Sequence, residues 1–335
     1  MAVEVARRST VMETENRKTL ALFSGRSNVA LADEVARVLG VELGGVEIRT
    51  YADGELYCRY DQSVRGTDAF VIQSMGPPIN DSLIEHLIMV DALRRASAKR
   101  ITAVTPYYPY ARQDKKSRSR EPITARLVAN MYEAAGIDRL VTVDLHAGQI
   151  QGFHSAPLDH LTALPILADY VGAHVSGELT IVSPDSGRVR TAEKYGQRLG
   201  APIAFLHKKR SREQAHSVEM LEVVGEVEGR TCIIVDDMIA TGGTICAAAE
   251  RLKSRGAAAI WAVATHGIFS GEAVEKLTLA PFERVVVTNT LPIPDRCYFT
   301  GLEVLSVAPI IAHAIKAIFE DGSVSEISEG LSDRF

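Results

Sequence analysis

The sequence is poor in cysteine, in aromatic residues and in long apolar runs, and each deficiency excludes a class of protein. It has four cysteines in 335 residues and no Cys-x-x-Cys pair, so we expect neither a disulfide framework nor a zinc site. No apolar run reaches the roughly 18 residues that a membrane-spanning helix needs. Aromatic residues make up 6% and the formal net charge is -5, which argues against a general nucleic-acid binder. These features predict a reduced, cytoplasmic protein without a nucleic-acid or membrane partner.

What the sequence does contain is a regular alternation of short apolar runs and helical patterns. Helices are predicted over residues 29–39, 83–95 and 245–252. Strands are predicted over residues 20–23, 69–73, 101–105, 140–143, 179–182, 232–235, 260–264 and 285–288. Strands that alternate with helices in this way predict an α/β fold with mostly parallel sheets flanked by helices.

Two segments of the chain resemble each other, which suggests two similar domains. One begins at Phe70 and the other at Cys232, and each has the order strand, glycine-containing loop, helix, strand, with the ending Ile-x-Ala-Val. Any two β-α-β units look alike, so a single sequence leaves that alternative open. Turn residues at 157–165 predict domains of 18–162 and 163–335. Residues 1–17 lack the apolar stretch of a signal peptide, and we expect them to be a loose leader.

The most informative segment follows the strand predicted over 232–235. Asp236 and Asp237 come first, and a Thr-Gly-Gly-Thr loop over 241–244 then leads into a helix. Glycines let the backbone approach an anion, and the start of a helix favours phosphate. The paired carboxylates would repel a phosphate but suit a sugar diol or a metal ion. A structural strand-turn-helix is the alternative, but the combination favours a ribose phosphate site.

Three other segments carry candidate chemistry. His146 and Asp185 each follow a predicted strand, where side chains gather at the edge of a parallel sheet. Residues 207–212 form a cationic run that includes Lys208 and Arg210. Taken singly, a buried structural histidine and a solvated basic loop are the simpler interpretations of His146 and of this run.

Seven motifs in order, over residues 20 to about 327, resemble the ribose-phosphate pyrophosphokinase family. The shared stretches are Tyr-Ala-Asp-Gly-Glu at 51–55, Pro-Tyr-Ala-Arg-Gln-Asp at 109–114, Asp-Leu-His-Ala at 144–147, Gln-Ile-Gln-Gly-Phe at 149–153, Lys-Lys-Arg at 208–210, Thr-His-Gly-Ile-Phe-Ser-Gly at 265–271 and Ser-Val-Ser at 323–325. The loop at 236–244 resembles the diphosphate loop of the type I phosphoribosyltransferase fold. The resemblance implies two domains of that fold and transfer of diphosphate from ATP to ribose 5-phosphate, for nucleotide biosynthesis.

The resemblance also implies a role for each matching residue. Lys208 and Arg210 would be catalytic, and His146 and Asp185 would bind Mg²⁺. ATP would be bound by Tyr51, Asp53, Glu55, Arg112, Gln113, Asp114 and His146. Ribose 5-phosphate would be bound by Arg210, Asp236, Asp237, Ala240, Thr241, Gly242, Gly243 and Thr244. A regulatory site would include Ser63, Arg65, Ser323 and Ser325. Adenine sites shared between subunits imply a homo-oligomer, at least a dimer and at most a hexamer.

Two positions depart from the family pattern. Ala240 stands where most family members have Asp, and Arg188 stands where a glycine is usual, adding bulk and charge near the metal residues. We expect these changes to affect substrate affinity and regulation rather than the reaction class. Two alternatives stay open, a phosphoribosyltransferase that uses the same loop and a non-catalytic regulatory homologue.

Overall fold

The computed structural model describes residues 18–210 and 219–324, and the secondary structure falls into two halves. The first half consists of β1 (Leu20–Ser24), α1 (Val29–Leu39), β2 (Val46–Thr50), β3 (Leu56–Tyr60), β4 (Asp68–Ile72), α2 (Ile79–Arg95), β5 (Arg100–Thr105), α3 (Thr124–Ala135), β6 (Arg139–Val143) and β7 (Leu158–Leu161). The second half consists of α4 (Leu164–His174), β8 (Leu179–Ser183), α5 (Val189–Leu199), β9 (Ile203–Arg210), β10 (Glu219–Val224), β11 (Thr231–Ile239), α6 (Gly243–Ser254), β12 (Ala259–Gly267), α7 (Ala273–Leu279), β13 (Arg284–Thr288), β14 (Leu302–Leu305) and α8 (Ala308–Phe319).

The first sheet is parallel throughout its described strands, in the order β1-β4-β5-β6-β7. Helix α1 shows why the sequence folds this way locally. Its buried residues Leu31, Ala32, Val35 and Ala36 recur at helical spacing, and the Asn28 side chain accepts a hydrogen bond from the N–H of Leu31 at its start. The antiparallel pair β2–β3 forms a separate hairpin that the sequence analysis did not predict.

The second sheet has the order β10-β9-β8-β11-β12-β13-β14, and β9–β10 is its antiparallel pair. From β8 the chain builds outward through β9 to β10, and it then returns to build the other side from β11 to β14. The order therefore reverses between β8 and β11. Open α/β sheets bind ligands at such a reversal, outside the carboxyl ends of the strands.

The predicted fold class, two mostly parallel sheets flanked by helices, is confirmed. The two similar segments both form parallel strand-helix-strand units, β4-α2-β5 and β11-α6-β12. Their resemblance in sequence therefore corresponds to a shared local topology. The boundary between residues 162 and 163 stays a prediction; β7 ends just before it and α4 begins just after it.

One of the buried apolar clusters is shared by the two halves. Leu31 and Val35 of α1 belong to the same buried cluster as Ile311 and Ile315 of α8, together with strand residues of both sheets. Burial of a large aliphatic side chain stabilises the fold by about 1.5–3 kcal/mol, so this shared cluster holds the sheets together firmly. Polar contacts add to it: the Asn28 side chain donates a hydrogen bond to the carbonyl of Asn289 at 3.0 Å.

None of the helices in the described part of the chain is long and apolar enough to cross a membrane.

Candidate active site

The carboxylate pair lies inside strand β11, which corrects the sequence-based prediction. That prediction ended the strand at Val235, whereas β11 continues to Ile239. The extra residues stay in the sheet because β12 continues alongside them, with Asp236 opposite Ala264 and Ile239 opposite Gly267. Asp236 and Asp237 are therefore held by the sheet itself rather than by a loop.

The turn after β11 leads directly into helix α6. The carbonyl of Ala240 accepts a hydrogen bond from the N–H of Ser270 at 2.9 Å, which fixes the start of the turn. Gly242 has a φ of +76° and precedes the first residue of α6, Gly243, two residues earlier than predicted. Thr241, Gly243 and Thr244 are exposed, so their N–H and hydroxyl groups are available at the start of this helix.

Arg188 neutralises the carboxylate pair, which the sequence analysis did not foresee beyond added bulk and charge. Its Nε lies 3.0 Å from Oδ1 of Asp236, and one terminal nitrogen lies 2.6 Å from Oδ1 of Asp237. The Arg188 side chain is 17% exposed, and the Asp236 and Asp237 side chains are 18% and 8% exposed. A guanidinium that donates to two carboxylates, largely removed from water, makes strong charge-assisted contacts.

The two carboxyl groups differ in proton affinity. Burial, and then the neighbouring Asp237, raise the pKa of Asp236 above its ordinary value against the opposing effect of Arg188. Burial acts on Asp237 in the same direction, but the hydrogen bond from His146, the contact with Asp236 and the charge of Arg188 outweigh it and lower the pKa of Asp237. Asp237 is therefore the member of the pair that ionises more readily.

His146 comes from the first half of the chain and reaches the second half. Its Nδ1 lies 2.7 Å from Oδ2 of Asp237 and 2.8 Å from a terminal nitrogen of Arg188. One ring nitrogen cannot donate and accept at once, and a carboxylate only accepts. We assign the Nδ1 proton to the hydrogen bond with Asp237, while Arg188 donates to the carboxylates.

Asp144 holds the segment that carries His146. Its φ is +38°, an unusual conformation for a residue with a side chain. Its carboxylate accepts hydrogen bonds from the N–H of Ala163 at 2.9 Å and from the Thr265 hydroxyl at 2.6 Å, and its carbonyl accepts one from His266 at 3.0 Å. Because Thr265 and His266 belong to β12, these contacts fix the His146 segment relative to the second sheet.

Residues from both halves line one small cavity of about 210 Å³ at the reversal between β8 and β11. Asp185, which follows β8, is exposed at its edge, and its Oδ1 accepts a hydrogen bond from the N–H of Gly187 at 2.8 Å. The predicted site residues that line the cavity are Arg112, His146, Asp185, Asp236, Asp237, Ala240, Thr241, Gly242, Gly243 and Thr244. The structure therefore brings together the predicted ribose loop, the two predicted metal residues and one predicted ATP residue from the 109–114 motif.

Other predicted ATP residues do not line this cavity. The Oε1 of Gln113 accepts a hydrogen bond from the Thr124 hydroxyl at 2.6 Å, and buried Asp114 accepts one from Gln149. Tyr51, Asp53 and Glu55 lie at the exposed tip of the β2–β3 hairpin, where the Asp53 carboxylate accepts a hydrogen bond from the N–H of Glu55 at 3.1 Å. Their role in binding adenine stays a prediction.

The backbone that carries Lys208 and Arg210 is a strand, whereas a loop was expected for this basic segment. The backbone of 203–210 is strand β9, paired with β10 so that Lys208 is opposite Leu221 and Arg210 is opposite Glu219. The side chains of Lys208 and Arg210, and all of residues 211–218, lie outside what the structure describes. The catalytic role of the two cations stays a prediction.

The predicted regulatory residues are dispersed along the chain. Ser63 and Arg65 are exposed between β3 and β4, and Ser323 is exposed after α8. Ser325 lies outside the described residues. The regulatory role of all four stays a prediction.

Comparison with known proteins places the chain in a family. Residues 20–136 match the model for the N-terminal domain of ribose phosphate pyrophosphokinase, and residues 212–328 match the model for the phosphoribosyl synthetase-associated domain. Ribose-phosphate pyrophosphokinases of Streptomyces avermitilis and Mycobacterium leprae are each 52% identical over 319 residues, which is 95% of this chain and 98% of each relative.

A solved structure agrees with the sequence relatives. The crystal structure of phosphoribosylpyrophosphate synthetase from Mycobacterium smegmatis has a TM-score of 0.86 and 52% identity, covering 91% of this chain and all of that one. Identity at this level over nearly the whole length, with the same fold, shows that the chain belongs to the ribose-phosphate pyrophosphokinase family.

Proposed function

We propose that this protein transfers the diphosphoryl group of ATP to the anomeric hydroxyl of ribose 5-phosphate, which gives phosphoribosyl diphosphate and AMP. The observation that carries the proposal is the shared cavity, in which Asp236, Asp237 and the loop 240–244 of one half face His146 and Arg112 of the other. A donor and an acceptor substrate need adjacent sites, and the two halves supply them.

The ribose 5-phosphate half of the site is built from β11 and α6. The exposed N–H and hydroxyl groups at the start of α6 suit the 5-phosphate, because the helix dipole also favours an anion there. Asp236 and Asp237 suit the ribose diol, since carboxylates accept hydrogen bonds from hydroxyl groups. We propose that the anomeric oxygen is then directed toward the part of the cavity that contains His146.

The reaction itself needs positioning and positive charge. The anomeric hydroxyl gives its proton to solvent, and its oxygen forms a bond to the β-phosphorus. At the same time the bond from that phosphorus to the oxygen that bridges it to the α-phosphorus breaks, and AMP leaves with that oxygen. We propose that Arg112 binds the nucleotide phosphates and that Lys208 and Arg210 stabilise the charge that develops. Removing one such cation reduces turnover by roughly a hundredfold to a thousandfold in comparable sites.

The donor groups fit a magnesium ion that arrives with the nucleotide. The described residues contain no group of three or more histidine, cysteine, aspartate or glutamate side chains that could hold a metal. Mg²⁺ prefers oxygen ligands and is usually held by one or two carboxylates together with substrate phosphates, so Asp185 at this cavity suits the ion, and we propose His146 as the second residue that contacts it. When bound, the ion neutralises phosphate charge.

The proposal extends to the oligomeric state of the protein and its location in the cell. We propose that Tyr51, Asp53 and Glu55 bind the adenine in a site completed by a second subunit, because the exposed hairpin tip does not line the cavity of its own chain. The protein would then be a homo-oligomer, at least a dimer and at most a hexamer, in the cytoplasm. Light scattering of the purified chain tests the assembly, and a monomer that is fully active would contradict it.

Formation of AMP that depends on ribose 5-phosphate tests the function. The purified protein is incubated with ATP and Mg²⁺, with and without ribose 5-phosphate, and AMP is measured. Lys208→Ala is expected to abolish most of the signal with its circular dichroism unchanged, while Lys209→Ala removes the same charge one residue away and serves as the matched control. No AMP from the wild type favours the regulatory homologue, and consumption of phosphoribosyl diphosphate with a nucleobase favours the phosphoribosyltransferase.

A further inference from the structure

Arg188 contacts both carboxylates of the Asp236–Asp237 pair. It lies where the turn after β8 enters α5, and β8 is the strand next to β11. Its Nε and one terminal nitrogen contact Asp236 and Asp237 at 3.0 and 2.6 Å, and its other terminal nitrogen donates to the carbonyl of His146 at 3.4 Å. The guanidinium thus touches the ribose half and the nucleotide half of the proposed site together.

Arg188 is distinguished from the other charged groups of the cavity by these contacts. Arg112 lines the same cavity, but among the described residues only Arg188 and His146 lie within ion-pair distance of Asp236 or Asp237. A guanidinium keeps its charge at any relevant pH, and its planar fork matches two carboxylate oxygens. Asp236 and Asp237 therefore have a permanent counter-ion that belongs to the chain.

The contacts of Arg188 affect whether Asp236 and Asp237 can bind a divalent metal ion. Carboxylate oxygens are the ligands that Mg²⁺ and Mn²⁺ prefer, and two adjacent, largely buried carboxylates without a counter-ion would attract such an ion. We propose that Arg188 keeps divalent metal away from the Asp236–Asp237 pair in the substrate-free protein, so that this pair stays available to the ribose hydroxyls. The inference rests on the proposed ribose site but requires no turnover.

A purely structural role for Arg188 makes a different prediction. If Arg188 only fastens the His146 segment to β11, its removal lowers stability and activity without changing the affinity for metal. If Arg188 excludes metal, its removal creates a metal site. Metal binding by the substrate-free protein therefore separates the two roles.

The experiment is a titration of the substrate-free protein with Mn²⁺, with free Mn²⁺ measured by electron paramagnetic resonance. Wild type is expected to bind Mn²⁺ only weakly, whereas Arg188→Gln is expected to gain one site with an affinity roughly tenfold higher or more, the equivalent of about 1.4 kcal/mol. Arg190→Gln is the matched control, because Arg190 is exposed two residues further along and its loss removes the same charge. It is expected to behave as wild type.

Two more variants test whether the gained site uses Asp236 and whether the charge of Arg188 excludes the metal. Arg188→Gln combined with Asp236→Asn should lose the gained site, because one of its ligands is gone. Arg188→Lys keeps the charge and should bind less Mn²⁺ than Arg188→Gln. If Arg188→Gln does not fold, Arg188→Met replaces it in the same titration, and Mn²⁺ binding equal to that of wild type contradicts the inference.

Tight binding of one Mn²⁺ by the substrate-free wild type that Asp236→Asn abolishes would overturn the inference, as would equal binding by Arg188→Gln and Arg190→Gln. Because no substrate is present, either result leaves the proposed reaction untouched. Conversely, an inactive protein that shows the expected Mn²⁺ pattern would refute the proposed function and support the role of Arg188.

Discussion

Replacing the two adjacent loop glycines with alanine, one at a time, separates backbone strain from ligand contact. Gly242 has a φ of +76°, and an added Cβ would lie 3.7 Å from the carbonyl of Ala273, Sγ of Cys246 and Cγ of Leu277, which is ordinary contact. The cost of Gly242→Ala is therefore the left-handed backbone alone, about 1–2 kcal/mol. We expect the free energy of unfolding to fall by that amount.

Gly243→Ala differs because the backbone there is not left-handed. The nearest atom to an added Cβ is the Thr241 hydroxyl oxygen at 4.0 Å, so the methyl group would enter open space. As the first residue of α6, Gly243 can become alanine without strain, which stabilises a protein by about 0.4–1 kcal/mol. The methyl group would nevertheless occupy the cavity at the proposed phosphate site, and we expect the KM for ribose 5-phosphate to rise roughly tenfold.

The two variants serve as controls for each other. Urea unfolding measures the free energy, and titration of each substrate measures the two KM values. The expected pattern is lower stability for Gly242→Ala and a raised ribose 5-phosphate KM, with stability retained, for Gly243→Ala. A urea midpoint of Gly242→Ala equal to that of wild type would contradict the expected strain. A wild-type KM for ribose 5-phosphate in Gly243→Ala would contradict the expected contact with the phosphate.

Three other perturbations test the carboxylates, the turn and the core. Asp236→Asn should raise the KM for ribose 5-phosphate roughly tenfold or more and change that for ATP little, in titrations of each substrate; a selective loss for ATP would contradict the assignment. Ala240→Asp should lower the KM for ribose 5-phosphate. A new charged acceptor contributes about 1.5–3 kcal/mol to binding of the sugar, and repulsion from Asp236 and Asp237 offsets part of this gain. A large loss of activity would contradict the prediction. Lowering the pH from about 7.5 to about 5 should reduce the free energy of unfolding, measured with urea, because His86 is buried and uncharged in the native protein.

The pH prediction depends on the surroundings of His86. Its Nε2 donates to the carbonyl of Val71 at 3.1 Å, its Nδ1 accepts from the Tyr132 hydroxyl at 2.9 Å, and burial lowers its pKa to about 4. An unfolded histidine titrates near pH 6.5, so between that value and about 4 the unfolded chain binds a proton that the native protein does not. Stability present above pH 6.5 is lost over that range, on the order of 3 kcal/mol.

Burial also lowers the pKa of His154 to about 4, which adds a loss in the same direction. His174 is exposed, and His174→Gln should leave the pH profile unchanged. Stability that is equal at the two pH values would refute the account.

The sequence correctly predicted helices and strands in which apolar residues recur without interruption along the whole element. Helix 29–39 was predicted with its observed bounds because its buried residues recur at helical spacing in the sequence. Strand β11 was ended too early because Asp236 and Asp237 interrupt the apolar run, and only the pairing with β12 shows that the strand continues. Hairpin β2–β3 was missed because its residues are half-buried or exposed and leave little apolar contrast.

The individual segments of the site could be predicted from the sequence. The ion pairs between them could not, because they depend on the order of strands in the sheet. The acidic pair, the glycine loop and His146 could each be recognised from residue types at strand ends. The contact of Arg188 with Asp236 and Asp237 could not, because it requires β8 to lie next to β11 although β9 and β10 separate them in the chain. Nothing in the spacing of 185–188 indicates that neighbour.

Strand order also explains why the chemistry gathers in one half. In the first sheet, β4 to β7 follow one another without a reversal, so the ends of adjacent strands open no crevice between diverging connections. In the second sheet, the connections diverge between β8 and β11, and the cavity opens there. The first half contributes by reaching across, with the end of β6 fixed through Asp144 to Thr265 and His266 so that His146 meets Asp237. Two halves of similar fold can in this way supply one composite site, in which one half contributes the binding loop and the other contributes side chains to it.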